Sequence, residues 1–171
     1  MKNTTILTAV TFAALTGMAQ AGSYTPPVVD TPYVPAAPAA HDWTGWYGDV
    51  YAGHWINPPV GNYLGFNLGY LTGNGSMVYG GELGLLYDPS AAYRQFTIDG
   101  RLGVAAGTNG LLFANLGLGR DSGATNFVEY SIGGQYAFGA NMYARGEIVG
   151  QRAIGGILTT SSVRLGIGLE F

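Results

Sequence analysis

Ser161-Ser162-Val163-Arg164-Leu165-Gly166-Ile167-Gly168-Leu169-Glu170-Phe171 closes the chain, and its parity decides the fold. From Val163 onward apolar residues take every odd position, while small or charged residues take the even ones. A period of two is a strand whose two faces meet different surroundings. The strand carries Arg164 and Glu170 on one face and ends on an aromatic on the other.

Working back from this strand, the chain divides into segments of about ten residues separated by turn chemistry. Eight are predicted: Trp46–Trp55, Val60–Leu71, Met77–Tyr87, Phe96–Ala105, Leu111–Arg120, Phe127–Phe138, Met142–Ala153 and Thr159–Phe171. The breaks hold Pro58-Pro59, Gly73-Asn74-Gly75, Asp88-Pro89, Asn109-Gly110, Ser122-Gly123, Gly139-Ala140-Asn141 and Gly155-Gly156. These residues supply the positive or fixed φ that hairpins need. A tilted strand crosses a bilayer in about 9–11 residues, so the lengths fit a membrane barrel.

Composition points the same way. The 171 residues include 29 Gly, 12 Tyr, no Cys and only 10% charged residues, with a formal net charge of −3. A soluble domain carries about 25% charge, so this surface is too apolar for water on every side. No stretch reaches the roughly 18 uninterrupted apolar residues of a spanning helix. Alternating lipid-facing and lumen-facing positions reconcile the two facts. The predicted fold is all-β: an eight-stranded antiparallel transmembrane β-barrel, an up-and-down meander, behind a disordered Pro-rich N-terminal leader. Its rival is a soluble lipocalin-like barrel with an apolar interior.

The amino terminus is read as an export signal. Met1-Lys2-Asn3 is a short positive region, Ile6 to Met18 is modestly apolar, and Ala19-Gln20-Ala21 is a small-x-small cleavage site. Residues 1–21 are therefore expected to be removed after Ala21; the other reading is an uncleaved amphipathic helix. Residues 22–42 form the leader, with Pro26, Pro27, Pro32, Pro35 and Pro38 among Val, Ala and Thr. Such proline density cannot pair in a sheet and favours polyproline II. The leader is either a disordered spacer or a tether to peptidoglycan or another envelope protein. The barrel is assigned to residues 43–171.

An even strand count puts both termini on one side, with the turns near Asn74, Asn109 and Asn141. The connections near Pro58, Pro89, Ser122 and Gly156 then lie on the other. The phase of the last strand directs Val163, Leu165, Ile167, Leu169 and Phe171 to lipid. It also turns Phe96, Ile98, Leu102 and Val104, then Leu112, Leu116 and Leu118, then Val128, Tyr130, Ile132, Tyr136 and Phe138, outward. Glu82, Asp99, Arg101, Glu129, Arg145, Glu147 and Arg164 converge on the lumen, with Asp49 assigned less firmly. An arginine facing lipid at mid-depth costs about 2–4 kcal/mol, which sets this phase.

Two readings of that interior stand. One is a salt-bridge network that fills the lumen, since eight strands enclose just enough room for side chains. The other is a small cation-leaning pore, suggested by lumen glycines such as Gly65, Gly69, Gly80, Gly84, Gly103, Gly117, Gly119, Gly133, Gly166 and Gly168 leaving room for water. Outward glycines (Gly81, Gly100, Gly134, Gly146, Gly150) would permit barrel-to-barrel contact. Trp46, Trp55, Tyr70, Tyr87 and Tyr143 are assigned to aromatic girdles.

His41-Asp42-Trp43-Thr44-Gly45-Trp46-Tyr47 resembles the Trp-Thr-Gly-Phe-Tyr opening of small outer-membrane proteins of the opacity-type porin family, relatives in architecture of the OmpA transmembrane domain and OmpX. Trp46 stands where that family has Phe. The resemblance implies an eight-stranded barrel of the Gram-negative outer membrane concerned with envelope integrity or surface antigenicity. It further implies that Val163, Leu165, Ile167, Leu169 and Phe171 form the signal read by the barrel-assembly machinery. Arg94, Arg120 and Arg152 fall where lipopolysaccharide phosphates would lie. Membership of a larger envelope complex is the remaining alternative.

No enzyme, cofactor or metal site is predicted. His41 and His54 are the two histidines, and they are distant from each other, with no Cys to complete a ligand set. His54 with Ser90 or Ser122 is the one catalytic pairing worth testing, and no triad spacing accompanies it. Gly117-Leu118-Gly119-Arg120-Asp121-Ser122-Gly123 ends a strand with no helix to follow, so it is no phosphate loop. The acidic balance gives nucleic acid no basic face.

Overall fold

The computed structural model describes residues 40–57, 60–74, 76–156 and 159–171. The expected signal peptide and all but the last residues of the expected leader lie outside these. Eight strands run in chain order: β1 (Gly45–Trp55), β2 (Gly61–Gly73), β3 (Met77–Asp88), β4 (Tyr93–Ala106), β5 (Gly110–Asp121), β6 (Asn126–Ala137), β7 (Met142–Ala153) and β8 (Thr159–Glu170). Each pairs antiparallel with its sequence neighbours, and β8 returns to β1 to close the barrel. Closure leaves no edge strand, so the backbone donors and acceptors of the wall are satisfied within it, as hydrocarbon demands.

The ends differ in detail from the pattern read in the sequence. β4 starts at Tyr93 rather than Phe96, because Tyr93, Arg94 and Gln95 extend the ladder opposite Asp88, Tyr87 and Leu86. Phe138 falls beyond β6 and is exposed. Phe171 lies one residue past β8, yet its amide still donates to the Trp46 carbonyl at 2.9 Å. Turn chemistry also departs from expectation between β5 and β6. The positive φ there sits on Ala124 (63°) rather than Gly123, and between β3 and β4 it sits on Ala92 (53°).

Burial is inverted relative to a protein dissolved in water. Leu165, Ile132 and Leu116 are 72%, 65% and 64% exposed, whereas Arg101, Glu82 and Arg145 are 3–4% exposed. Water-soluble monomers rarely expose contiguous apolar patches beyond a few hundred Å². Here the outer wall between the two mouths is apolar, as a transmembrane barrel requires, and the ionised groups buried inside exclude the lipocalin-like alternative.

The interior is layered. Toward the termini, Trp43, Tyr47, Leu71, Val78, Leu111, Ala137 and Tyr143 form one apolar cluster. Toward the opposite mouth, Tyr51, Trp55, Tyr63 and Leu86 form another, with Tyr93 packed against it. The charged side chains lie between and beside these clusters. Trp55 and Tyr143 are therefore interior residues, 3% and 0% exposed, and not girdle residues. Their parity explains the correction: Tyr143 shares a face with Arg145 and Glu147, as Trp55 does with Asp49. Trp46, Tyr70 and Tyr87 do face outward, and the Trp46 and Tyr70 rings meet edge to face at 5.4 Å.

Candidate functional site: the charged lumen

Strand parity delivers one layer of ionised groups to the lumen. Arg145 on β7 is its hub. It grips Glu82 of β3 with both terminal nitrogens, at 2.6 and 3.0 Å, and reaches Asp49 of β1 and Glu147 at 2.9 Å each. Arg101 of β4 adds a 2.6 Å bond to Glu82. Arg164 of β8 holds Glu129 of β6 through two bonds of 2.9 and 3.0 Å, and touches Glu147 at 3.3 Å. Glu82 and Glu147 thus link all three guanidinium groups into one network spanning the barrel.

Neutral polar groups take up further lone pairs and protons, while Arg101 Nη1 and Arg145 Nε have no hydrogen-bond partner among the described residues. The Tyr47 hydroxyl donates to Glu82 at 2.8 Å, Tyr143 to Asp49 at 3.1 Å, and the Asn67 amide to Asp49 at 2.8 Å. Ser131 donates to Glu147 and Gln151 to Glu129, while Arg101 Nε donates to Asn115. Guanidinium faces lie over aromatic rings: Arg101 and Arg145 over Phe113 at 4.2 and 5.0 Å, and Arg164 over Tyr51 at 5.1 Å. Planar arginine suits both contacts, which an ammonium group would not combine. Buried ions survive only when so paired, because removing one partner costs about 3–5 kcal/mol.

Of the charged residues predicted for the lumen, six join the network and Asp99 does not. It lies beside Glu82 in the β3–β4 register and against Gly117, and its Oδ1 has no hydrogen-bond partner among the described residues. Asp49, the least firmly assigned, is central. Sequence reasoning missed the aromatic and amide contributors (Tyr47, Tyr63, Tyr143, Asn67, Gln151), although parity alone places each of them inside.

The lumen glycines are covered by neighbouring atoms of the described residues. Tyr47 lies across Gly69, Tyr51 across Gly65, Tyr63 across Gly53, Phe113 across Gly133, Phe127 across Gly119 and Tyr143 across Gly168. Each is a directly opposed cross-strand pair. An added Cβ at any of the ten glycines on which the pore reading rested would meet another heavy atom within 3.0 Å. Glycine is present there because a ring, the backbone or, at Gly84 and Gly103, a neighbouring non-aromatic side chain already occupies the place of its side chain.

At the end where β1 starts and β8 finishes, Trp43 and its neighbours before β1 pack into the lumen. Trp43 is 4% exposed and meets the Tyr143 ring at 6.3 Å. Beside it His41 pairs with Glu170 at 2.6 Å, and its amide donates to Thr108. Asp42 accepts from the amide and hydroxyl of Thr44, and these bonds hold its carboxyl below the usual range.

Arg94, Arg120 and Arg152 are exposed at the opposite mouth, on the outward face. Among the described strand residues they are the only ionised side chains with outward parity. Arg94 lies over the Tyr87 ring at 5.8 Å. His54 also faces outward, its ring bonded to Asn62 at 2.8 Å. Ser90 is engaged by Asp88 and Ser122 by Arg94, so the structure gives His54 no serine partner among the described residues.

No family model matches the sequence, and no curated protein does. Solved structures resemble it in fold. A de novo designed transmembrane β-barrel superposes with a TM-score of 0.58 at 11% identity, covering 77% of this chain and 99% of the design. The outer-membrane enzyme PagL gives 0.57 at 16% identity, covering 72% and 99%. The N-terminal barrel domain of OprF from Pseudomonas aeruginosa gives 0.54 at 15% identity, covering 74% and 96%. The shared feature is the small transmembrane barrel, an architecture that hosts several activities.

Proposed function

We propose that this chain is a non-catalytic protein of the bacterial outer membrane, of the opacity-type porin kind, that contributes to outer-membrane structure and integrity and presents a surface antigen. One observation carries the reading: a lumen filled by a cross-barrel ion-pair network and by aromatic rings laid over glycines. Side chains invested this way brace a wall and hold strand register, because a one-residue slip would turn every charge toward lipid. The same packing disfavours the cation-leaning pore.

On this reading the signal peptide is cleaved after Ala21 and the termini face the periplasm. The leader 22–42 then emerges where it meets peptidoglycan or an envelope protein, which also accommodates a subunit role in a larger complex. Arg94, Arg120 and Arg152 reach the outer leaflet at the level of lipopolysaccharide phosphates. The last strand, through Phe171, is presented to the assembly machinery.

Single-channel recording in a planar bilayer tests the reading. The refolded wild type is expected to be silent. Arg145→Ala is expected to be silent as well, and less stable by about 3–5 kcal/mol in denaturant unfolding, because it strands Asp49 in the interior and leaves Glu82 with Arg101 alone. Steady cation-selective steps from the wild type, altered by the substitution, would establish the pore instead.

A further inference from the structure

The two ends of the lumen are finished differently. Trp43 packs into the end where β1 starts and β8 finishes, whereas the opposite mouth opens into a cavity of about 320 Å³. Gln95 and Gln151 form its floor. They are 5% exposed, joined by reciprocal amide bonds of 3.1 and 2.9 Å, and anchored through Gln151 to Glu129 at 2.6 Å. None of the ion-paired residues lines the cavity.

Its walls are aromatic and its rim is acidic. Trp55, Tyr93 and Phe127 line it, together with the carboxylates of Asp88 and Asp121. Asp88 receives the amide and hydroxyl of Ser90 on Oδ1 alone. Asp121 receives the Thr125 amide and the Tyr93 hydroxyl, one on each oxygen. No lysine or arginine is among the lining residues, and the neighbouring Arg94 and Arg120 are exposed on the outer wall. Two carboxylates thus border an aromatic-walled space in which no cation among the described residues answers them.

We propose that this cup is a binding site for a small organic cation: an ammonium group carried on a compact apolar body. Aromatic rings lining the cavity would attract a cation and cover its apolar part. The rim carboxylates accept its N–H donors, and the amide floor offers polar contact without a competing charge. The volume lies at the lower end of the range of small-molecule sites, which suits a ligand the size of a single substituted ring. An anion finds only like charge there.

The full chain, refolded in a non-ionic detergent, is titrated with benzylamine, benzyl alcohol and benzoate. Binding is followed by the side-chain amide resonances of Gln95 and Gln151. Benzylamine is expected to shift them saturably and to bind at least about tenfold more tightly than benzyl alcohol, with benzoate not binding. Asp88→Asn combined with Asp121→Asn is expected to bring benzylamine down to the affinity of the alcohol and to leave the alcohol unchanged. Equal affinity for the amine and the alcohol, preference for benzoate, or no saturable shift would overturn the proposal. If the double variant does not fold, the three-ligand comparison on the wild type decides alone.

Discussion

Gly69 and Gly81 show how position decides what a glycine is for. Gly69 faces inward beneath the Tyr47 ring, whose hydroxyl donates to Glu82. Gly81 faces outward, and an added Cβ there would make only ordinary contact, at 3.6 Å, with the Asp99 carbonyl. Gly69→Ala must displace the ring and loosen the Glu82 bond, a strain of about 1–3 kcal/mol. Gly81→Ala recovers the backbone entropy that glycine forfeits in a strand and should stabilise by about 0.5–1 kcal/mol. Denaturant unfolding of both variants checks the pair; equal effects would mean that the rings do not depend on their glycines. Asp99 poses the opposite case, a buried carboxylate beside Glu82 to which the described residues offer no cation, and nothing in the arrangement accounts for it.

At the scale of the element, hairpin connections decide how the strands are joined. The β5–β6 turn is held by the Ala124 amide on the Asp121 carbonyl at 3.0 Å and the Thr125 amide on the Asp121 carboxylate at 2.8 Å. These bonds put Ala124 at a φ of 63°, a left-handed conformation that costs an L-residue about 1–2 kcal/mol. Ala124→Gly removes that strain at the entropic cost of a glycine, and is expected to stabilise the barrel by about 0.5–1 kcal/mol in thermal or denaturant unfolding. A destabilised variant would mean the turn is not strained. Turn composition in the sequence announced a turn here but assigned the unusual conformation to glycine. Which residue adopts it depends on the register of β5 against β6, and that is a tertiary quantity. The same holds for β4, whose start at Tyr93 depends on its partners on β3.

For the whole molecule, the governing fact is the exchange of inside and outside. The wall presents leucine, isoleucine, valine and aromatic residues outward, the ions pair inside, and the three outward arginines sit at one mouth. Leu116, in the middle of β5 and 64% exposed, belongs to that wall. Leu116→Arg is expected to destabilise the barrel by about 2–4 kcal/mol when unfolded from lipid vesicles, while Leu116→Ile should be close to neutral. An arginine tolerated there at no cost would place Leu116 outside the hydrocarbon.

The turn residues between segments determined the strand count and the hairpin order, and period-two alternation determined which residues share a face. It did so because the two faces meet different solvents, and a charge on the wrong one is heavily penalised. The same parity delivered six of the seven charges predicted for the lumen into one network. Only the tertiary structure decided the partners: that Arg145 takes Glu82, Asp49 and Glu147, that Asp99 is left out, and that six rings lie across six glycines. Apart from Arg145 with Glu147, two residues apart on β7, those pairings join strands that are not neighbours or depend on the register between neighbours, and neither is encoded in the periodicity of one strand. Trp55 and Tyr143 mark the boundary between the two kinds of knowledge: their parity was readable, but only closure of the barrel shows that the interior holds rings as well as ions.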